Sequence, residues 1–163
     1  MAARVLVVHA SKLGSTAEIA KTIGDVIAAA GASVDVLSVR EVRSVDGYDA
    51  VILGSALYAA HWQSTAGKFL ARYRAALATK ALWVFSSGPL DARLAATNLP
   101  ITAHALELLG GLQYRDHRTF GGKLAADAPV DPQVLKTHPV GDFRNWAAVH
   151  DWAVAIAKAL SEG

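Results

Sequence analysis

Three apolar runs of seven residues constrain the fold of this chain more than any other feature of its sequence. They are RVLVVHA (residues 4–10), AVILGSA (50–56) and ALWVFSS (81–87). Such nearly continuous apolar runs are typical of strands inside a parallel sheet, because helices cover both faces of that sheet. A weaker run, YRDHRTFGG (114–122), and an alternating run, SVDVLSV (33–39), complete five predicted strands. The alternation favours an edge position for the second strand.

Helical periodicity separates most of these strands. Helices are predicted before Gly31, which stops the first of them, and at residues 65–78, 101–109 and 144–160. Residues 40–49 have room for about one helical turn. Residues 123–142 hold three of the five prolines and are predicted to be an irregular surface excursion. Strands that alternate with helices predict an α/β fold with a doubly wound parallel sheet.

Composition narrows the class of protein. The chain has 163 residues, of which 53% are hydrophobic and 18% charged, so a single domain over residues 1–163 is expected. It has no cysteine, which excludes disulfides and thiol chemistry. No apolar run is long enough for a transmembrane segment, and no signal peptide is recognised, so a cytoplasmic location is expected. A net charge of +2 with scattered basic residues does not favour nucleic-acid binding.

The loop after the first strand, SKLGST (residues 11–16), has the composition of a phosphate-binding loop but not a common pattern. A dinucleotide-binding loop needs Gly-x-Gly-x-x-Gly, and a P-loop needs Gly-Lys-Ser/Thr at the helix start. A receiver domain needs an acidic pair after the first strand, where this chain has Ala10 and Ser11. Two interpretations remain. The hydroxyls and the N-terminal N–H groups of the helix bind a phosphate monoester, or Ser15 or Thr16 merely caps the helix.

The pattern Ser11-x-x-Gly14-x-Thr16 resembles the first loop of the flavodoxin-like family. The stretches YDAVILGSALY (48–58) and LWVFSSGP (82–89) resemble its third and fourth strands with the loops that follow. The resemblance covers nearly the whole chain, and it implies a five-stranded sheet of order 2-1-3-4-5 with helices on both faces. HASKLGSTAEIA and GDFRNWAAVHDWA further resemble the branch of flavodoxin-domain proteins that includes menaquinone-dependent protoporphyrinogen dehydrogenase.

The resemblance implies that flavin mononucleotide (FMN) is the cofactor and that three loops hold it. The first loop, residues 11–16, would bind the phosphate. Residues 56–59 of the second loop (residues 55–62) would flank the isoalloxazine ring. Residues 86–90 of the third loop (residues 86–93) would meet the other side of the ring or its pyrimidine edge. The expected cofactor-binding residues are Ser11, Lys12, Leu13, Gly14, Ser15, Thr16, Ala56, Leu57, Tyr58, Ala59, Ser86, Ser87, Gly88, Pro89 and Leu90.

The function expected from the resemblance is that of an FMN-dependent oxidoreductase. Its electrons would pass to a small acceptor such as a quinone or a porphyrinogen-like molecule. One alternative is an electron-transfer protein that docks redox proteins and has no substrate of its own. A flavin-free interaction domain is a third. The third loop has no aromatic residue, whereas many flavodoxins clamp the ring between two aromatics, and Trp62 is equally well interpreted as ordinary packing.

Other candidate chemistry is weaker. The serines lie in no nucleophile-elbow pattern, and no two of the six histidines have the i, i+4 spacing of helical zinc ligands, so no metal site is predicted. His9 is expected to be packed, and His61 is the histidine expected near the flavin. Asp142, Arg144 and Trp146 are compatible with a substrate-side cluster. The favoured interpretation is a helix start that Asp142 caps, with Trp146 buried.

Overall fold

The computed structural model describes residues 2–11, 13–88, 91–95 and 97–163. The strands are β1 (Arg4–Ala10), β2 (Ser33–Ser38), β3 (Ala50–Tyr58), β4 (His61–Trp62), β5 (Ala81–Ser87), β6 (His117–Phe120), β7 (Lys123–Leu124) and β8 (Gly141–Asp142). The helices are α1 (Ser15–Ala29), α2 (Ser64–Leu77), α3 (Ala92–Ala95), α4 (Ala103–Leu109), α5 (Pro132–Thr137) and α6 (Trp146–Glu162). Within these residues, no helix is both long and apolar enough to cross a membrane.

The main sheet has the strand order β2-β1-β3-β5-β6, with all four of these pairings parallel. These five strands correspond to the five predicted runs, so the predicted order 2-1-3-4-5 and the edge position of the second strand are confirmed. The short strand β4 was not predicted. It pairs antiparallel with the end of β3 and makes that end a hairpin.

Helices pack on both faces of the sheet. One layer of the core lies under α1 and α6 and contains Ile19, Ile23 and Trp152. The other lies under α2 and α4 and contains Phe69 and Leu109. Because β1, β3 and β5 are covered on both faces, their side chains are buried on both, as the continuous apolar runs predicted.

A close approach between neighbouring strands β3 and β5 fixes the centre of the sheet. Gly54 lies against the ring of Phe85, where a Cβ atom would stand only 2.0 Å from the ring. Phe85 in turn packs against Phe120 and Trp152, with ring centroids 6.0 and 6.1 Å away. The absence of a side chain at residue 54 therefore lets this aromatic cluster sit directly beneath the ends of the strands.

Two local predictions were wrong. Residues 40–49, which have room for about one helical turn, form turns and irregular structure. Residues 123–142 are not an irregular excursion throughout, because β7 and β8 pair as a small ribbon and α5 lies between them. Asp142 does not cap α6: the cap is Asn145, whose side chain accepts the N–H of Ala148, and Trp146 is 38% exposed rather than buried.

Candidate functional site

The ends of three neighbouring strands bring the three predicted loops together. In the register of the sheet Ala10 lies beside Ser55, and Ala56 lies beside Ser87. Gly88 comes so close to the second loop that a Cβ atom there would be 3.3 Å from the carbonyl oxygen of Leu57. The first, second and third loops therefore meet at one edge of the sheet, beyond the carboxyl ends of β1, β3 and β5. In open α/β sheets this edge is where ligands bind.

The first loop turns into α1 through Gly14, whose φ of +90° lies in the left-handed region that favours glycine. The Oγ of Ser11 accepts the N–H of Gly14 at 2.9 Å and closes the turn. Helix α1 begins at Ser15, and Gly14 occupies the cap position without a side-chain cap bond. Neither Ser15 nor Thr16 caps the helix, so the capping interpretation of these hydroxyls is wrong.

The side-chain hydroxyl of Thr16 is buried and unpaired among the described residues. The residue is fully buried, and within the described part of the chain its Oγ1 has no hydrogen-bond partner. A buried hydroxyl without a partner costs free energy, so native proteins rarely keep one without a reason. The first N–H groups of a helix also lack partners inside the helix and carry partial positive charge. The start of α1 therefore holds several hydrogen-bond donors that have no partner within the helix.

Two further unpaired polar atoms lie on the same face of the sheet. The Nδ1 of His9 and the Oγ of Ser87 are buried and have no partner among the described residues. Strand alternation places both side chains on the face that α1 covers, with Val7 and Phe85. Burial lowers the pKa of His9, although the nearby Glu41 opposes this shift, so the ring is neutral near pH 7.

The second loop is a tight hairpin between β3 and β4. Tyr58 pairs with His61, and between them Ala59 and Ala60 have φ values of +50° and +65°. A two-residue turn with both φ values positive is the type I′ geometry that suits hairpins, but alanine adopts it at a cost. Tyr58 is 41% exposed at the start of this turn, and partial burial raises its pKa.

A chain of hydrogen bonds holds the far side of this hairpin. The Nε1 of Trp62 donates to the Oγ of Ser86 at 2.8 Å, and this Oγ lies 2.9 Å from the Nε2 of His117. Burial lowers the pKa of His117 to about 4, so its ring is neutral near pH 7. Trp62 is 3% exposed, which supports the packing interpretation of this residue. The Ser86 side chain is committed to this chain of bonds.

His61 stacks on a histidine that the sequence did not single out as its partner. Its ring lies 4.3 Å from that of His104, with 17° between the planes. The Nδ1 of His104 accepts the backbone N–H of Trp62 at 3.1 Å, which places the proton of the neutral ring on Nε2. The pair ties the hairpin to the start of α4. No group of three His, Cys, Asp or Glu residues able to hold a metal ion occurs in the residues that the structure describes.

The segment before α6 contacts the first loop, which the sequence did not predict. Arg144 reaches both the carbonyl oxygen of Ser15 and the carboxylate of Glu18 on α1. The only sequence signal was the quoted stretch GDFRNW, in which an acidic and a basic residue stand two positions apart.

The structure thus brings most of the predicted cofactor residues to one edge of the sheet. Lys12, Pro89 and Leu90 lie outside the described residues. The hydroxyl of Ser86 points into the layer below α2 and α4, away from the first loop. The others lie in the three loops that meet: Ser11, Leu13, Gly14, Ser15, Thr16, Ala56, Leu57, Tyr58, Ala59, Ser87 and Gly88.

Comparison with known proteins gives the family. The flavodoxin-domain family matches residues 6–128, about three quarters of the chain, so the chain belongs to this family. A sequence comparison with curated proteins gives no match.

Solved structures of other proteins show the same fold. A flavodoxin from the domain Archaea is similar over 97% of this chain and 99% of its own, with a TM-score of 0.60 and 18% identity. Oxidised flavodoxin 2 from Bacillus cereus is similar over 96% and 99%, with a TM-score of 0.64 and 21% identity. Rubredoxin oxygen:oxidoreductase from Desulfovibrio gigas is similar over 98% of this chain but 36% of its own, with a TM-score of 0.64 and 18% identity. The chain thus spans about a third of that oxidoreductase.

Flavodoxin-domain homologues bind FMN. The hydrogen-bonding groups of the first loop match those of the phosphate of that cofactor. A phosphate monoester accepts hydrogen bonds only, and the loop offers donors: the N–H groups that begin α1 and the hydroxyl of Thr16, which has no partner among the described residues. Gly14, at φ +90°, provides the bend that connects this loop to the start of α1.

Proposed function

We propose that this chain binds FMN without a covalent bond, as a single domain over residues 1–163, and is an oxidoreductase that passes electrons to a small acceptor. The acceptor class is a quinone or a porphyrinogen-like molecule. The observation that carries the cofactor part is the fully buried Thr16, whose hydroxyl is unpaired in the described residues beside the start of α1. A hydroxyl in this position is satisfied when it donates a hydrogen bond to a phosphate oxygen.

The first loop orients the phosphate. Ser11 uses its oxygen to accept the N–H of Gly14, which leaves its own O–H free to donate. Ser15 and Thr16 add two hydroxyls and two backbone N–H groups at the positive end of α1. This set of donors would bind a dianion without a buried arginine in direct contact, and the bond from the Gly14 N–H to the Ser11 Oγ holds the turn of the loop.

The second and third loops bound the ring. Tyr58 supplies an exposed aromatic surface at the start of the hairpin, whereas Trp62 is turned into the core. The third loop, residues 86–93, contains no aromatic residue, and Gly88 packs directly against Leu57. When bound, the isoalloxazine ring supplies the redox chemistry by accepting electrons from a donor and releasing them to an acceptor.

The absence of an aromatic residue from the third loop favours a small flat electron acceptor. Without a ring from the third loop, one face of the cofactor is open to stacking by an aromatic molecule, an interaction of about 0.5–1.5 kcal/mol beyond the buried area. The likeness of GDFRNWAAVHDWA to the protoporphyrinogen dehydrogenase branch supports the same acceptor class. The net charge of +2 argues in the same direction, because docking of basic reductases favours an acidic surface.

The alternative is an electron-transfer protein that docks redox proteins. The observation in its favour is the likeness to flavodoxins over nearly their full length and nearly the full length of this chain. In this case Tyr58 and the exposed edge of the hairpin would contact a protein partner rather than a small molecule.

Reoxidation of the reduced holoprotein separates the two functions. The protein, loaded with FMN and reduced under anaerobic conditions, is mixed in a stopped-flow instrument with a small water-soluble quinone or with cytochrome c. We expect quinone to reoxidise the protein faster than cytochrome c does at equal concentration. Faster reaction with cytochrome c would favour the electron-transfer alternative. An apoprotein that binds riboflavin as tightly as FMN would contradict the phosphate site itself.

A further inference from the structure

The segment Gly141–Trp146, called the strap below, crosses from β8 to α6 and lies beside the first turn of α1. The N–H of Phe143 donates to the carbonyl oxygen of Gly122 at 2.9 Å, which fixes the strap to the end of the main sheet. Arg144 extends from the strap toward α1, and only 4% of its side chain is exposed. A guanidinium this buried is rare unless it is fully paired.

Within the strap, two contacts fix the plane of this guanidinium. The Nε and Nη2 of Arg144 donate to the two carboxylate oxygens of Asp142 at 2.9 and 2.7 Å. The ring of Trp146 lies 4.7 Å from the guanidinium carbon and covers its face. This pairing lowers the pKa of Asp142 and raises that of Arg144, so both groups stay charged. The orientation of Arg144 is therefore set by the strap rather than by α1.

The remaining nitrogen reaches the first turn of α1. Nη1 of Arg144 lies 3.3 Å from the Oε1 of Glu18 and 3.4 Å from the carbonyl oxygen of Ser15. Ser15 and Thr16 belong to the proposed phosphate site, and Glu18 follows them by two to three residues, which is about 3–4.5 Å along the helix axis. An unopposed carboxylate at this distance repels a phosphate dianion.

We propose that Arg144 is a positioning residue for the phosphate site, which it keeps receptive by neutralising Glu18 and by holding the Ser15 carbonyl. This inference rests on the proposed FMN site. Arg144 acts through α1 rather than by touching the phosphate. The cluster carries one guanidinium against the carboxylates of Asp142 and Glu18, so loss of the cation leaves two negative charges beside the site. The effect is specific for ligands that carry a phosphate.

Paired titrations of the apoprotein with FMN and riboflavin, followed by quenching of flavin fluorescence, test this role. In Arg144→Gln, FMN should bind about tenfold more weakly at low salt, while riboflavin binding is unchanged. Adding Glu18→Gln to that variant should recover most of the loss. Lys21→Gln is the matched control, because it removes one positive charge from an exposed position on the same helix and should alter neither ligand's affinity.

The outcomes distinguish this inference from the proposed function. The positioning role would be overturned if Arg144→Gln weakened the binding of FMN and riboflavin equally, or if it did not weaken the binding of FMN. The phosphate site would still stand in either case, provided that the wild-type protein binds FMN more tightly than riboflavin. Absence of that preference in the wild type would overturn the site itself, and with it the inference. If Arg144→Gln does not fold, Glu18→Gln alone decides. It leaves the cluster neutral and should tighten FMN about threefold without affecting riboflavin, and an unchanged FMN affinity would refute the idea.

Discussion

Replacement of Thr16 by valine should stabilise the apoprotein and weaken the cofactor complex at the same time. Valine has nearly the shape of threonine but lacks the hydroxyl. Thr16 is fully buried, and its Oγ1 has no partner in the described part of the chain, so the apoprotein bears the desolvation cost of this atom. The same atom is expected to donate to the phosphate when FMN is bound. One substitution therefore has opposite effects on the two forms.

The magnitudes follow from this environment. An unsatisfied buried hydroxyl costs about 1–3 kcal/mol, so the free energy of unfolding of the apoprotein should rise by about 1–2 kcal/mol. For a chain of this size that corresponds to a Tm increase of about 3–6 °C. Loss of a hydrogen bond to a charged acceptor costs about 1.5–3 kcal/mol, which weakens FMN binding by about 10- to 100-fold. Riboflavin has no phosphate and should bind as before.

Thermal unfolding of the apoprotein and titration with both ligands measure the two effects. Thr22→Val is the matched control, because Thr22 is half-buried on the same helix and lies outside the proposed site. We expect it to change stability by less than about 0.5 kcal/mol. A Thr16→Val apoprotein that is less stable than the wild type would refute the reasoning, since the hydroxyl would then have a partner in the free protein. Equal losses for FMN and riboflavin would show that the first loop does not hold the phosphate.

Three further predictions concern the frame around the site. Burial lowers the pKa of His117 to about 4, so below pH 6.5 the unfolded chain binds more protons than the folded protein does. Denaturant unfolding should therefore show that the free energy of unfolding falls by about 3 kcal/mol between pH 6.5 and 4. The variant His117→Asn should lack most of this fall. Gly54→Ala forces a methyl group into the Phe85 ring and should destabilise by about 3 kcal/mol, seen as a lower urea midpoint. Replacing Ala59 and Ala60 together by Asn and Gly fits the positive φ values and should raise the urea midpoint, with a gain of about 1 kcal/mol; a loss would argue against the type I′ turn.

The sequence predicted those parts of the fold that are decided locally. The continuous apolar runs identified β1, β3 and β5 because a strand covered on both faces has no polar positions to interrupt it. Gly31 and Gly110 marked helix ends because their left-handed φ values are easy only for glycine. The hairpin at β4 escaped prediction because its turn contains two alanines instead of the usual Asn-Gly. Its conformation depends on contacts from Trp62 and His104 that lie far apart in sequence.

The site was predicted less completely, for a similar reason. The first loop carries its pattern in six adjacent residues, so Ser11, Gly14 and Thr16 could be singled out directly. Asp142 was assigned as a helix cap by a local rule, but its carboxylate accepts hydrogen bonds from the backbone N–H and the guanidinium of Arg144, and Asn145 caps the helix instead. Pairings of this kind depend on the tertiary fold.

The contact between Arg144 and Ser15 has a consequence for the order in which the protein is made. The two residues are 129 positions apart, so at about 5–20 residues per second a ribosome synthesises the arginine roughly 6 to 26 s after the loop that it supports. During that interval β1 can already pair with β2 and β3, while the start of α1 still lacks its partner from the strap. A nascent chain therefore acquires its central strands early and completes the surroundings of its first loop only after Arg144 has been synthesised.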